Sequence, residues 1–171
     1  LEMLQQTGRI TVQEESGKTA EVVIDGIPIG KTPYQGILAP GDHVVFLRGA
    51  GNLGSQPAPA TVKLNQATPL VLALEPLDST LRVETNPAGA SISVDGVTVA
   101  NGIWEGKLRV GRHKVEVAAK GFIKSTREMN LKAGREKVVV ELESEGLATY
   151  GHVFLEVTGG LALAPGMVAL P

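Results

Sequence analysis

The sequence contains no cysteine. That excludes disulfides, thiolate nucleophiles and Cys-ligated zinc. Aromatic residues make up only 4% of the chain, so a core has to be built from Val, Ile and Leu. No apolar run reaches the roughly 18 residues of a membrane-crossing helix, and no signal peptide is visible. Neither G-x-S-x-G nor H-E-x-x-H occurs, and with no acid pair, triad or metal cluster apparent an enzyme is not expected. A strong charge of one sign is missing as well. The net charge of −2 argues against a dedicated nucleic-acid binder.

Apolar residues are 43% of the 171, and Gly (21) and Pro (10) are frequent. That is the composition of short strands joined by tight turns. Charge is uneven. Residues 79–143 carry 11 Lys+Arg against 8 Asp+Glu, a net of +3, whereas residues 8–76 carry 5 against 6, a net of −1. A mildly basic second half fits an acidic partner surface, but solvated strand faces are the expected explanation.

The chain starts at Leu1 rather than Met, as expected of a fragment or a processed protein. Residues 1–7 (LEMLQQT) are helix-forming, with Gly8 as a C-terminal cap, and read as the end of an upstream helix. From Gly8 the period becomes that of strands. Glu21-Val22-Val23-Ile24 runs into Asp25-Gly26, a strong hairpin signal. Further strands are expected at 43–47, 60–64 and 70–74. The order then recurs. Asp25-Gly26 returns as Asp95-Gly96. Gly36, Leu38, Gly41, His43, Val45 and Gly51 return as Gly106, Leu108, Gly111, His113, Val115 and Gly121. Each pair is 70 residues apart, which marks an internal duplication. The ends drift: Ile10 and Val12 match Leu81 and Val83 at 71, and Leu74 matches Leu142 at 68.

The expected fold is all-β: two tandem small β-sandwiches of Ig-like or transthyretin-like type at 8–76 and 79–143. Glu75 to Ser79 is the linker, with Pro76 ending the strand before it. Residues 144–171 form a linker and a strand tail. There Val153, Leu155, Val157, Leu161 and Leu163 alternate with polar or small residues. Such a strand either opens a membrane barrel, giving membrane association through the tail, or adds to a sheet edge.

Asn86-Pro87-Ala88-Gly89-Ala90, Ser91-Ile92-Ser93-Val94-Asp95-Gly96, Gly111-x-His113, Lys120-Gly121-Phe122 and Val138-Val139-Val140-Glu141-Leu142 together resemble the PEGA domain. Its Pro-Glu-Gly-Ala signature stands here as Pro87-Ala88-Gly89-Ala90. The first copy has lost the signature but keeps Gly30-Lys31-Thr32-Pro33, a Gly-x-Thr-Pro step the family often shows. The resemblance implies a small, often repeated β-sandwich on bacterial envelope and surface proteins. It implies no catalytic residue and no cofactor. The function expected is non-catalytic spacing, anchoring or protein adhesion outside the cytoplasm, with an envelope protein or polysaccharide as partner. The alternative is a carbohydrate-binding module for peptidoglycan or surface polysaccharide.

Gly49-Ala50-Gly51-Asn52-Leu53-Gly54 matches G-x-G-x-x-G. Pro57 and Pro59 forbid the helix that a dinucleotide site needs, so no nucleotide is expected and the segment reads as a mobile surface loop. His43 and His113 are equivalent, one per copy, too few for a metal site; each reads as a ring bonded to a turn at a strand start. His152 stands alone in the tail. Trp104, the only tryptophan, marks a candidate ligand or partner surface with Lys107 and Arg109. Exposed, it would stack on a sugar or a protein; turned inward, it would cap the core.

Overall fold

A computed structural model describes residues 6–146. The helical end expected at 1–7, apart from its last two residues, and the tail strand expected at 150–164 lie outside that range. Within it, the strands follow the apolar alternation closely. The first half contains β1 (Gly8–Glu14), β2 (Glu21–Ile24), β3 (Ile27–Lys31), β4 (Tyr34–Leu38), β5 (Gly41–Arg48), β6 (Leu53–Gly54), β7 (Ala58–Val62), β8 (Ala67–Leu72) and β9 (Glu75–Pro76). The second contains β10 (Ser79–Asn86), β11 (Ser91–Val94), β12 (Val97–Asn101), β13 (Ile103–Leu108), β14 (Gly111–Ala118), β15 (Ser125–Leu131) and β16 (Gly134–Glu141).

Sheet order repeats between the halves. A three-stranded sheet β4-β1-β8 in the first answers β13-β10-β16 in the second. In both, the flanking strands run antiparallel and parallel to the central one. The facing sheets are β3-β2-β5-β6-β9, with β7 also paired to β5, and β12-β11-β14-β15. Register repeats as well. Ile10 lies opposite Gly36 and Val12 opposite Tyr34; Leu81 lies opposite Gly106 and Val83 opposite Trp104. A one-residue slip would turn every core side chain to solvent, so alternation fixes the pairing.

Each pair of sheets closes on its own aliphatic core. Ile10, Val12, Val22, Ile24, Val45 and Leu47 fill the first. Leu81, Val83, Ile92, Val94, Leu108, Val115, Val117 and Val140 fill the second. Burying one such side chain contributes about 1.5–3 kcal/mol, so these inward positions hold each half together.

One expectation is overturned. The segment Gly49–Gly54 is not a loose surface loop. Gly49 N–H donates to Leu53 O (2.8 Å) and Leu53 N–H to Ala50 O (3.1 Å). Gly51 sits at φ 64°, where a Cβ is disfavoured. The segment Glu75–Pro76 of the expected linker is paired as well. Pro76 lies opposite Leu53 and Glu75 opposite Gly54; Leu77 N–H donates to Asn52 O at 2.9 Å. The Leu77 side chain is buried and covers Gly54, where an added Cβ would meet its Cδ1 at 2.8 Å. Asn52 Nδ2 donates to Asp78. The pairing has a counterpart where the chain leaves the second half. Phe122 bridges Ser144, Ile123 N–H donates to Glu143 O (2.8 Å), and Glu145 N–H donates to Gly121 O (3.0 Å). A clamp on the exit strand, built around a turn glycine at positive φ, thus occurs in both halves.

Candidate functional site

The two Asp-Gly turns carry chemistry-bearing residues. Asp25 and Asp95 both adopt φ 50°, followed by Gly26 and Gly96 at φ 80° and 84°. Each aspartate is held by the strand behind it. Asp25 Oδ1 accepts from Val44 N–H at 2.9 Å and its Oδ2 meets His43 Nδ1 at 2.7 Å. Asp95 Oδ1 accepts from Lys114 N–H at 2.8 Å and its Oδ2 meets His113 Nδ1 at 2.7 Å. The other ring nitrogen donates to a carbonyl 2.9 Å away, of Ala39 or Arg109. Both imidazoles therefore lie between two acceptors. For His43, burial pulls the pKa down, but the bonds to Asp25 and Ala39 and the charges of Asp25 and Asp42 outweigh it and raise the pKa above its ordinary value. The His–Asp pair pins the hairpin tip to a strand two elements away. Among the described residues no cluster of three or more His, Cys, Asp or Glu side chains could hold a metal.

Trp104 lies half-buried against the second core. Its ring extends over Gly106, where an added Cβ would collide with the indole. Tyr34 covers Gly36 in the same way. An aromatic ring two residues before a glycine on an edge strand shields the backbone that the glycine leaves bare. One face of the indole is thus taken up within the fold. Trp104 also lines a cleft of about 330 Å³ between the halves. That cleft brings together Trp104, Glu105, Gly106 and Lys107 with Phe46 and Arg48 of the first half. An adjoining hollow of about 400 Å³ shares Phe46, Arg48 and Glu105–Lys107 and adds Leu77 and Arg135. The Arg48 guanidinium stands 5.5 Å from the centre of the Phe46 ring.

Of the candidate surface residues, Trp104 and Lys107 meet in the cleft. Arg109 does not; its carbonyl serves His113, and it is exposed in the β13–β14 turn. Phe46, Arg48 and Arg135 were not legible as site residues, because their role depends on how the halves face each other. Tyr34 and Trp104 are equivalent under the same repeat offset, a signal that could have exposed the shielding role.

The outer face of β13-β10-β16 carries an ion-pair network that runs to the cleft at Glu105 and to the adjoining hollow at Arg135. Arg82 bonds Glu84 (2.7 Å) and reaches Glu105 (3.5 Å), Lys137 bonds Glu84 (2.8 Å), and Arg135 reaches Glu105 (3.4 Å). Lys137 and Arg82 hold Glu84 below the ordinary carboxylate range.

Residues 78–146 match the model of the PEGA domain, a family of extracytoplasmic, surface-associated modules. No curated protein matches the chain. Among solved structures, it is similar to the Bacillus anthracis TIE protein at 16% identity and a TM-score of 0.30, over 81% of this chain and 34% of that one. It is also similar to a leucine-rich repeat protein from Bacteroides thetaiotaomicron at 11% identity and a TM-score of 0.35, over 81% of this chain and 27% of that one. The chain spans about a third or less of the length of these proteins.

Proposed function

We propose that the chain is a non-catalytic spacer of the bacterial cell envelope: two PEGA-type sandwiches, the first a diverged copy of the second, held outside the cytoplasm as one stiff unit. The observation that carries this reading is the clamped exit strand. A tether between independent domains is exposed, polar and unpaired. Here the joining segment is hydrogen-bonded on one side and buries Leu77 on the other. The matching pairing at Phe122 and Ser144 would pass the same fixed geometry to whatever follows.

In this reading the histidines, glycines and shielding aromatics serve the fold. No cofactor is required, and the partners are other envelope components. Trp104 is a weak sugar platform because the fold uses its ring to cover Gly106. Replacement in the full-length protein tests the proposal. An unrelated rigid pair of domains of equal length in place of residues 8–143 should preserve cell-surface assembly, and a flexible Gly/Ser linker should not. Equal performance of the two replacements, or recovery of the native protein from the cytosol, would defeat it.

A further inference from the structure

We propose that the cleft between the halves takes an extended acidic peptide, added as a strand to the free edge of β13. Side chains along a strand alternate between faces. Glu105, Gly106 and Lys107 are consecutive, yet all three line both hollows. In the smaller hollow, which takes in no residue of β10 or β16, it is the edge of the strand that presents three successive residues to one space. That edge has no neighbour among the described residues: β13 ends its sheet, with β10 on its other side. Unpaired edges invite an added strand unless they are blunted. Neither a proline nor a bulge protects β13.

Charge selects the occupant. Across the two hollows, Arg48, Lys107 and Arg135 face two carboxylates, Asp25 and Glu105, and Asp25 is already held by His43. Arg48 and Arg135 are well exposed and their ion pairs are long, at 3.3 and 3.4 Å, so both remain available to a ligand. Lys107 has no ion pair among the described residues. Phe46 and Leu77 add apolar wall for the alternate side chains of a bound strand. Main-chain bonds to β13 would supply affinity, and the cations would specify carboxylates.

The site depends on the fixed joint of the spacer reading but assigns a partner to it. Trp104 is a built-in reporter, since it lines the cleft and is the only tryptophan. The peptide Thr-Glu-Val-Glu-Val-Thr should shift its fluorescence saturably and protect amides of residues 103–108 from exchange. Arg48→Glu with Lys107→Glu should weaken that peptide at least about tenfold and favour the lysine counterpart Thr-Lys-Val-Lys-Val-Thr. The proposal is overturned by no saturable shift, by amide changes confined to other strands, by equal binding of both peptides to the native protein, or by binding of polygalacturonate without binding of the peptide. A broad distance distribution between spin labels on the two halves would sink both this site and the spacer reading. A narrow one without peptide binding would sink this site alone.

Discussion

The two halves solve the same geometric problems with different side chains. At the corner before β11, Asn86-Pro87-Ala88-Gly89 turns with Ala90 N–H donating to Pro87 O at 3.1 Å. Gly102, at φ 78°, comes so close to the Ala88 carbonyl that any Cβ would clash. The first half puts Thr32 at that position instead. Its buried hydroxyl donates to Lys18 O (2.8 Å) and accepts from Ala20 N–H (2.9 Å). Glu14 organises the rest of that turn, accepting from Ser16 and Lys18 N–H at 2.9 and 2.7 Å. Similarly, β15 accompanies β14 from Gly111 to Val117. Its counterpart β7 leaves β5 at Val45, where Pro57, just before the last paired residue Ala58, cuts it short. The remaining groups of β5 turn to Gly54 and Ser55, whose Oγ accepts from Leu47 N–H at 2.8 Å. What repeats is register, turn glycines and the Asp–His pin. What drifts is the chemistry that satisfies the backbone around them.

That contrast can be broken at matched positions. The largest effect is expected at the shielded glycines. Gly106→Val should drive the indole off the second core and cost about 2–4 kcal/mol, with Gly36→Val doing the same to Tyr34 in the first half. Urea unfolding followed by Trp104 fluorescence should register the former and not the latter.

The Asp–His pins come next. Asp95→Ala should cost about 2–3 kcal/mol, because it strips a partner from a fully buried ring. Asp25→Ala should cost about 1 kcal/mol. The difference arises because the His43 side chain is partly open to water, whereas that of His113 is not. Equal losses in calorimetry would show that burial is not what separates the halves.

A smaller loss is expected for Gly121→Val, since Gly121 holds a positive φ. Forcing a branched side chain into that left-handed region costs about 1–2 kcal/mol. A thermal melt matching the native protein would contradict it.

The smallest effect is on pH dependence. The raised pKa of His43 means its stabilising contribution is complete below the ordinary histidine value and is lost as pH rises through the folded value. Glu14 behaves oppositely. Burial pushes its pKa up, but the N–H groups of Lys18 and Ser16 and the Ser16 hydroxyl hold it below the ordinary value. Its contribution is lost as pH falls through that lowered value. His43→Gln should flatten the alkaline limb of a stability–pH curve for the first half, and Glu14→Gln the acidic limb.

Much of the fold was legible because it rests on period and turn chemistry. Alternation at Ile10 and Val12 and at Leu81 and Val83 marks central strands, and Asp-Gly at 25 and 95 marks hairpins. The constant offset of the repeat finds positions that prove topologically equivalent. The Asp–His pin was half legible. A turn-bound histidine could be expected, but the carboxylate partner far earlier in the chain could not, since nothing local joins them. The clamp escaped because Gly49–Gly54 and Glu75–Pro76 each resemble loops alone and become strands only by pairing. The cleft escaped for the same reason on a larger scale: Phe46 and Arg48 meet Lys107 only through the joint between the halves.

The most direct test of that joint is a distance between the halves. The chain has no cysteine, so Gln35→Cys with Glu128→Cys places one spin label on an exposed site of each half. Pulsed dipolar spectroscopy should give a single narrow distance distribution, which broadens when Asn52→Ala and Leu77→Ser release the clamp. A distribution already broad in the otherwise native protein, and unchanged by those substitutions, would contradict a stiff two-part spacer.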